Sequence, residues 1–442
     1  MTDVRQSPKL TRRALGALLG GGLVLAAGAR PGAAAATTVR SSARIVVVGG
    51  GAAGTAIANR LVRRLEGATI TLVDARREHL YQPGFSLVGV GLETASYVVV
   101  GRTRDWLPAG ARLVEEEAAE IDPEARRVTT RGGTRLDYDF LIVATGLELD
   151  WAAIEGFSLD LVGKDGIGAL YAGPEYAERT ARAVRAFAER GGTAIFTRPN
   201  TEMKCAGAPL KHTFLVEDIV STAGKRKSAE IVYCSNSKVL FSVPIVSERV
   251  RMLFAERGIR TRYEHVLRAV DPVRRIATFV TPQGPEELGY DYLHVIPPMR
   301  APEVVRNSPL PWADKWKGQH WVEVDPGTLR HRRYPEIFAI GDVAGVPKGK
   351  TAASVKWQVP VVEDHLLAQI QGREGREVYN GYTSCPLITR VGKAMLIEFD
   401  YKDDLVPSFP GVIAPLEELW ISWLMKEIAL KPTYRAMLRG LA

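Results

Sequence analysis

The chain has 442 residues, of which 46% are hydrophobic and 24% charged. This composition is typical of a folded globular protein and excludes the disordered and fibrous classes, and the length indicates two or three lobes with separate cores. The formal net charge is +8, and half of it falls within residues 1–36. The remaining chain is only weakly basic, so we expect no nucleic acid as partner.

The first 36 residues have the pattern of an export signal. A basic stretch that ends at Arg12-Arg13 precedes an apolar run over residues 14–29, and alanines at 34–36 supply the small residues that a signal peptidase accepts. The run is short for a bilayer span, and the paired arginines favour the twin-arginine route. The pattern predicts a protein on the periplasmic face of the cytoplasmic membrane. A plain secretory signal or an uncleaved anchor is the alternative.

The next segment predicts a βαβ unit. Residues 44–48 are a continuous, mostly β-branched run, which is typical of a strand buried on both faces of a parallel sheet. A helix over residues 55–65 and a second strand over 70–74 complete the unit.

The turn between this strand and helix carries a dinucleotide fingerprint. Residues 49–54 read GGGAAG and match G-x-G-x-x-G. Gly49 makes the tight turn, Gly51 lets the backbone approach a pyrophosphate, and Gly54 allows helix and strand to pack closely. Asp74, at the end of the second strand, is expected to accept hydrogen bonds from the adenosine ribose. The fingerprint alone does not separate NAD from FAD.

Further buried segments extend the same pattern along the chain. The predicted strands outside the βαβ unit are 138–146, 194–197, 230–233, 337–342, 382–389 and 394–401. The predicted helices of the middle region are 177–189 and 246–257.

These elements predict an α/β fold with two Rossmann-like, doubly wound domains. Residues 40–165 and 301–378 are assigned to one discontinuous FAD-binding domain, and residues 166–300 to a second Rossmann-like domain. Residues 379–442 are assigned to a C-terminal α+β region that carries an amphipathic helical end and is associated with quinone and membrane.

Two later motifs favour FAD. Thr145-Gly146, after an apolar strand, and Gly341-Asp342 resemble the second and third FAD signatures of flavoproteins with two dinucleotide-binding domains. This resemblance implies that Asp342 binds the ribitol hydroxyls. Together with the fingerprint, the two motifs predict FAD as the cofactor, and no metal is predicted.

The same resemblance implies a helix that opens at Lys350 and Thr351. Its N-terminus would face the pyrimidine side of the flavin, where the helix dipole stabilises the negative charge of a reduced ring. We therefore assign both residues to the cofactor site.

The middle lobe lacks a second glycine fingerprint. Its strand over residues 194–197 leads into RPNTEM, and no glycine follows until Gly207. A nicotinamide cofactor would have no pyrophosphate cradle there, so we expect the electrons to come from another donor.

Cys205 and Cys385 lie in two motifs, NTEMKCAGAP at 200–209 and GYTSCPLIT at 381–389. With IEFDY at 397–401, they resemble the cysteine motifs of type II sulfide:quinone oxidoreductases. The resemblance extends over residues 43–439, nearly the whole chain after the signal.

The resemblance implies a reaction and separate roles for the two cysteines. Sulfide attacks a disulfide by thiol exchange, leaving a persulfide on one cysteine and a thiolate on the other. Cys205 is then the flavin-facing sulfur and Cys385 carries the outgoing persulfide, with a sulfur acceptor, FAD and a membrane quinone as partners. A purely structural disulfide is the alternative. Cys234 is expected to be a buried free thiol, and His212 a packing residue.

The C-terminal end is predicted to contact a membrane. Apolar residues recur at three- and four-residue spacings from Leu416 to Ile428, with Lys426, Lys431 and two arginines nearby within residues 416–439. Such a helix fits a bilayer interface, with its basic residues toward lipid phosphates. Core packing or a dimer contact is the alternative, and a homo-oligomer remains open.

Three other functions are weighed against this one. The flavoprotein subunit of a flavocytochrome c sulfide dehydrogenase would pass electrons to a cytochrome. An NADH:quinone oxidoreductase is disfavoured by the absent second fingerprint. A non-catalytic flavin-fold protein would have lost a cysteine or Asp342, and neither is lost.

Overall fold

The computed structural model describes residues 38–442. The export signal predicted over residues 1–36 therefore lies outside the described residues.

The first lobe is built on a five-stranded parallel sheet. Its strands, in spatial order, are Ile337–Ala339, Phe140–Val143, Arg44–Val48, Thr69–Val73 and Ala111–Val114. Helix Ala52–Arg64 connects the two strands of the predicted βαβ unit. All five strands run in one direction, so the segments that follow them lie at one edge, where an open α/β sheet binds its ligand. Three of these segments, after Arg44–Val48, Phe140–Val143 and Ile337–Ala339, carry the predicted cofactor motifs.

The middle lobe holds a second five-stranded parallel sheet. Its order is Ile167–Gly168, Tyr292–His294, Gly192–Thr197, Ala229–Cys234 and Arg260–Arg262. Helices cover it, namely Pro174–Arg190, Ala208–Thr222 and Pro244–Glu256. The two parallel sheets confirm the predicted α/β class. The domain limits assigned from the sequence stay predictions.

Two small antiparallel sheets, which the sequence pattern did not predict, extend these lobes. One consists of Ala118–Asp122, Arg127–Thr130 and Arg135–Asp137, and the other of Val266–Asp271, Ile276–Thr281 and Gly284–Gly289. Both use tight turns that a hydrophobic pattern alone does not reveal.

The remaining elements are short, apart from one long helix, Ala352–Ile370. The other helices are Phe85–Val88, Ala95–Val98, Thr103–Trp106 and Glu303–Arg306. The other strands are Val39–Arg40, Leu65–Glu66, Glu78–Leu80, Val99–Arg102, Glu148–Leu149, Met299–Arg300, Val322–Glu323 and Ala344–Gly345.

The C-terminal region begins with a hairpin of Thr383–Arg390 and Lys393–Phe399, which packs on helix Ala208–Thr222. It ends in helix Trp420–Leu424, a π-helical turn Met425–Ala429 and helix Leu430–Leu438. In the described part of the chain, no helix combines the length and apolar character needed to cross a bilayer.

The helix expected from Leu416 onward is corrected by the structure. Leu419 pairs with Ala394 as an isolated β-bridge, so the helix begins only at Trp420. Trp423 packs against the middle-lobe core, whereas Trp420 and Ile421 are exposed. Because the π-turn inserts an extra residue into the helical repeat, side chains beyond it no longer follow the stripe predicted from a regular helix.

Candidate active site

Cys205 lies in the loop that leaves the middle sheet. This loop runs from strand Gly192–Thr197 to helix Ala208–Thr222. Cys205 has a φ of +54°, a left-handed conformation that costs a non-glycine residue roughly 1–3 kcal/mol. Its N–H donates to the Lys350 carbonyl at 2.9 Å, and its own carbonyl accepts from the Ala208 N–H at 2.7 Å. These contacts hold the strained loop between the two lobes.

Cys385 approaches Cys205 from the C-terminal hairpin. It is buried on strand Thr383–Arg390, and its Sγ lies 3.7 Å from the Cys205 Sγ, although 180 residues separate them in the chain. Gly207 makes the approach possible, since a Cβ at that position would stand 2.5 Å from the Cys385 Sγ. Both cysteines are free thiols. The structure therefore brings together the two cysteines that the sequence named as a pair.

Lys211 is the third residue of this site, and sequence reasoning missed it. Its buried Nζ donates to the Cys205 Sγ at 3.3 Å from the first turn of helix Ala208–Thr222. The hydrogen bond with Cys385, and then the Lys211 ammonium, lower the pKa of the Cys205 thiol against the opposing effect of burial. The hydrogen bond with Cys205 and burial raise the pKa of Cys385. The sequence signal that could have identified Lys211 is its position on a helix whose other residues are mostly apolar.

Lys426 is a second buried cation, and its position corrects the sequence analysis. It was expected to face lipid phosphates, but it is only 2% exposed, and its Nζ has no hydrogen-bond partner. Glu427 is its ion-pair partner at 4.0 Å. Burial lowers the pKa of Lys426 to about 8, and it lies close enough to Lys211 and Cys205 for their charges to act on it. The π-turn carries this side chain into the protein.

Cys234 and His212 stand apart from this chemistry. Cys234 ends strand Ala229–Cys234 in the core, and burial raises the pKa of its thiol to about 12. His212 is fully buried, its Nε2 lies 2.6 Å from the Tyr292 hydroxyl, and its ring packs on His294. Both residues therefore serve packing.

The glycine fingerprint has the geometry of a pyrophosphate cradle. Gly49 has a φ of +103°, and a Cβ on Gly54 would stand 1.8 Å from the Gly49 carbonyl oxygen, so neither position accepts a side chain. A Cβ on Gly51 would meet only the Arg76 guanidinium, at 3.5 Å. The backbone at Gly51 is thus open to a ligand, directly before helix Ala52–Arg64.

The segments after the neighbouring strand fit a cofactor as well. The Thr145 Oγ1 is buried without a hydrogen-bond partner, and a Cβ on Gly146 would touch nothing within 4 Å. A buried hydroxyl without a partner next to open space is costly unless a ligand supplies the missing hydrogen bond. Together with the glycine cradle, these two residues fit a bound FAD.

Gly341 and Asp342 follow strand Ile337–Ala339 at the same edge. The Gly341 N–H donates to the Gln358 Oε1 at 2.8 Å, and a Cβ on Gly341 would stand 3.3 Å from the Ala53 Cβ in the fingerprint helix. Burial raises the pKa of Asp342 against the opposing charge of Lys350. The first and third FAD motifs are therefore in contact.

Lys350 and Thr351 stand where the long helix begins. The Lys350 Nζ donates to the carbonyls of Asp342 and Ala344 at 2.6 and 3.1 Å, and it lies 3.8 Å from the centre of the Trp321 ring. Lys350 thus holds the turn that carries Asp342. Thr351 caps helix Ala352–Ile370, because its Oγ1 accepts from the Ser354 N–H at 3.1 Å. Their contacts with the cofactor stay predictions.

Asp74 is buried at the predicted edge, and its carboxylate is already occupied. It accepts from the Gly50 N–H at 2.5 Å and from the backbone N–H and guanidinium of Arg76. No cluster of three metal-ligating side chains occurs within residues 38–442.

Comparisons with known proteins agree with this architecture. The family model described as pyridine nucleotide-disulphide oxidoreductase matches residues 43–181. The mitochondrial sulfide:quinone oxidoreductase of Mus musculus is 34% identical over 395 residues, which cover 88% of this chain and 84% of that protein. Its namesake from Dictyostelium discoideum is 34% identical over 389 residues, with the same coverage of 88% and 84%.

Among solved structures, the sulfide:quinone oxidoreductase of the hyperthermophilic bacterium Aquifex aeolicus has the same fold. It matches with a TM-score of 0.73 at 21% sequence identity, and the match covers 90% of this chain and 92% of that one. The matches to the two eukaryotic relatives each cover 88% of this chain at 34% identity. The chain therefore belongs to the sulfide:quinone oxidoreductase family.

Proposed function

We propose that this protein oxidises sulfide at Cys205 and Cys385 and passes two electrons through FAD to a quinone. The observation that carries the proposal is the convergence of two distant cysteines to 3.7 Å beside a buried lysine. A structural disulfide needs neither a neighbouring ammonium nor a strained cysteine, whereas a reactive thiol is typically found in such an electropositive setting.

The cysteines and Lys211 have defined tasks in this reaction. HS⁻ attacks the Cys205–Cys385 disulfide at the Cys385 sulfur, where a new S–S bond forms as the old one breaks. The bonding electron pair leaves on Cys205 as a thiolate, which the Lys211 ammonium at 3.3 Å stabilises. A sulfur acceptor then takes the outer sulfur of the Cys385 persulfide and leaves a second thiolate.

The cycle closes when the two thiolates return to a disulfide and release two electrons. A bound FAD would supply the two-electron acceptor for this oxidation, and a quinone would take up the two electrons together with two protons. The turn held by Lys350 and the cap formed by Thr351 keep the edge of the first sheet rigid around the cofactor.

The middle lobe supports a donor other than NADH. After strand Gly192–Thr197 the chain forms the cysteine loop instead of a glycine cradle. The Thr197 Oγ1 donates to the His294 carbonyl at 2.9 Å and accepts from the Ile296 N–H at 3.1 Å. These bonds join the strand ends at which a second dinucleotide would bind.

Anaerobic flavin spectroscopy tests the proposed reaction. Sulfide added to the purified holoprotein should bleach the flavin absorbance, and a short-chain quinone should restore it. Bleaching by NADH and not by sulfide would contradict the proposal. Reoxidation by a cytochrome alone would favour the flavoprotein subunit of a flavocytochrome c. Cys205→Ala and Cys385→Ala should each abolish sulfide-dependent bleaching, while Cys234→Ala, which alters a buried thiol outside the pair, serves as the matched control.

We further propose that the C-terminal helices attach the protein to a membrane. Trp420, Ile421 and Ile428, all within this end of the chain, are 51%, 42% and 38% exposed. Exposed tryptophan and isoleucine side chains suit the boundary between headgroups and acyl chains. Attachment there would let an apolar quinone reach the protein without crossing water.

We also propose export by the twin-arginine route, which is supported by Arg12-Arg13 and the apolar run that follows. Replacing both arginines by lysine should retain the protein in the cytoplasm of a bacterial host. Cell fractionation with immunodetection measures this, and unchanged recovery from the periplasm would contradict it.

A further inference from the structure

Asp74 has no acceptor site left for a ribose hydroxyl. Its Oδ1 accepts from the Arg76 N–H at 2.8 Å and from the Arg76 Nε at 3.2 Å. Its Oδ2 accepts from the Gly50 N–H at 2.5 Å and from the Arg76 Nη2 at 2.9 Å. A carboxylate offers about four lone-pair positions, so these four donors saturate it.

Arg76, by contrast, keeps donors free on the ligand side. Asp74 engages only its Nε and one Nη2 hydrogen, which leaves the Nη1 hydrogens and one Nη2 hydrogen. Its side chain is 56% exposed, while that of Asp74 is 6% exposed. The guanidinium therefore stands between the buried carboxylate and solvent.

The position of Arg76 relative to the fingerprint points to the ligand. Its Nη2 lies 3.5 Å from where a Cβ on Gly51 would stand, and Gly51 is the glycine at which a pyrophosphate approaches the backbone. The Arg76 main chain is fixed as well, because the Thr103 Oγ1 donates to its carbonyl at 3.1 Å. Contacts within the protein thus hold the arginine over the cradle.

We propose that Arg76 is a cofactor-binding residue that holds the adenosine diphosphate half of FAD, and that Asp74 acts by positioning Arg76 and the Gly50 amide. A guanidinium matches phosphate oxygens and ribose hydroxyls with paired N–H donors. The inference rests on the FAD of the proposed function and not on its substrate.

Release of FAD from the holoprotein tests the proposal. Holoprotein is diluted over a concentration series, and free FAD is measured by its fluorescence after filtration. Arg76→Gln should raise the apparent dissociation constant of FAD at least about tenfold, since a hydrogen bond to a charged group contributes enough for that factor. Arg77→Gln is the matched control, because it removes the same charge from the adjacent exposed residue.

Competition by ADP identifies the half of FAD that Arg76 contacts. ADP added to diluted wild-type protein should block FAD rebinding, and in Arg76→Gln the ADP concentration needed should rise by the same factor as the FAD constant. Riboflavin lacks both phosphates and the adenosine, so its weaker competition should be equal in Arg76→Gln and Arg77→Gln.

Equal FAD release in Arg76→Gln and Arg77→Gln would overturn the proposal. So would tighter FAD binding in Arg76→Gln, which is the result expected if Asp74 binds the ribose once Arg76 no longer occupies it. Should Arg76→Gln not be recovered folded, Arg76→Lys and Arg77→Lys make the same comparison, since lysine keeps the charge and loses the paired donors. Failure of the proposed function would appear separately, as absent bleaching of the wild-type flavin by sulfide.

Discussion

At the residue scale, the reactivity of the cysteine pair depends on the buried Lys211 ammonium. Lys211→Met should raise the pKa of the Cys205 thiol, because it removes an opposite charge at hydrogen-bond distance. The rate of iodoacetamide labelling of Cys205 in the reduced protein, followed by peptide mass spectrometry across pH, measures this. The midpoint of that profile should move to higher pH. Lys225→Met, at an exposed position, is the control, and equal midpoints in both variants would contradict the role of Lys211.

The short distance between the two sulfurs depends on Gly207, which has no side chain. Gly207→Ala should place a Cβ 2.5 Å from the Cys385 Sγ and force the two cysteines apart. We expect sulfide-dependent bleaching to slow at least tenfold and the free energy of unfolding to fall by about 1–3 kcal/mol, as in other overpacked sites.

Gly289→Ala controls for the added methyl group, since a Cβ there meets no atom within 4 Å. Stopped-flow absorbance of the flavin and urea unfolding give the two measurements. If Gly207→Ala bleached as fast as Gly289→Ala, the close packing of Cys385 on Gly207 would have no chemical role.

At the element scale, the π-turn Met425–Ala429 carries a buried charge that lowers the stability of the fold. Lys426 has a pKa lowered by burial from 10.5 to about 8, so below pH 8 it is protonated in both folded and unfolded states and its burial penalty is fully present. Between pH 8 and 10.5 the folded protein loses the proton first, and its stability relative to a variant without the charge rises with pH. The difference between these two pKa values corresponds to roughly 3 kcal/mol in the free energy of unfolding.

Lys426→Met should therefore be more stable than the wild type at pH 7, and the advantage should shrink toward pH 10. Urea unfolding followed by flavin fluorescence at several pH values measures the difference. Lys393→Met, at the exposed first residue of the second hairpin strand, should show no such trend. A difference between Lys426→Met and wild type that is constant with pH would show that Lys426 does not carry a buried charge.

The C-terminal helix is also joined to the FAD lobe. Helix Leu430–Leu438 lies against helix Ala52–Arg64, and the Tyr434 hydroxyl is 2.8 Å from the His79 Nε2. The Asn59 side chain donates to the Leu438 carbonyl at 3.0 Å. The element proposed to meet the membrane therefore continues directly into one that packs behind the glycine cradle.

At the scale of the whole molecule, the exposed apolar end should govern membrane binding. The variant Trp420→Ser with Ile421→Ser should bind vesicles of phosphatidylglycerol and phosphatidylethanolamine at least tenfold more weakly, because each large side chain contributes about 1.5–3 kcal/mol on full burial. Co-sedimentation measures the bound fraction. Val273→Ser, at a residue 92% exposed on a remote turn, is the control. Binding equal to that of Val273→Ser would place the membrane contact elsewhere.

The sequence predicts well those elements whose conformation is determined by residues close to one another in the chain. Strand Arg44–Val48 was predicted with its observed limits, and helix Ala52–Arg64 within three residues at its start, because a β-branched run, a glycine turn and a helical repeat act locally. The FAD expected from these signals agrees with the family to which the chain belongs.

The sequence by itself determined the α/β class, and it named the glycine fingerprint and the two of three cysteines that the fold brings close together. Only the tertiary structure decided that their sulfurs lie 3.7 Å apart, that Lys211 contacts Cys205, that Lys426 is buried and that Arg76 saturates Asp74. The physical reason is that these properties arise between elements distant in sequence. Burial and pairing of a charged side chain depend on what the fold packs against it, and no local pattern carries that information.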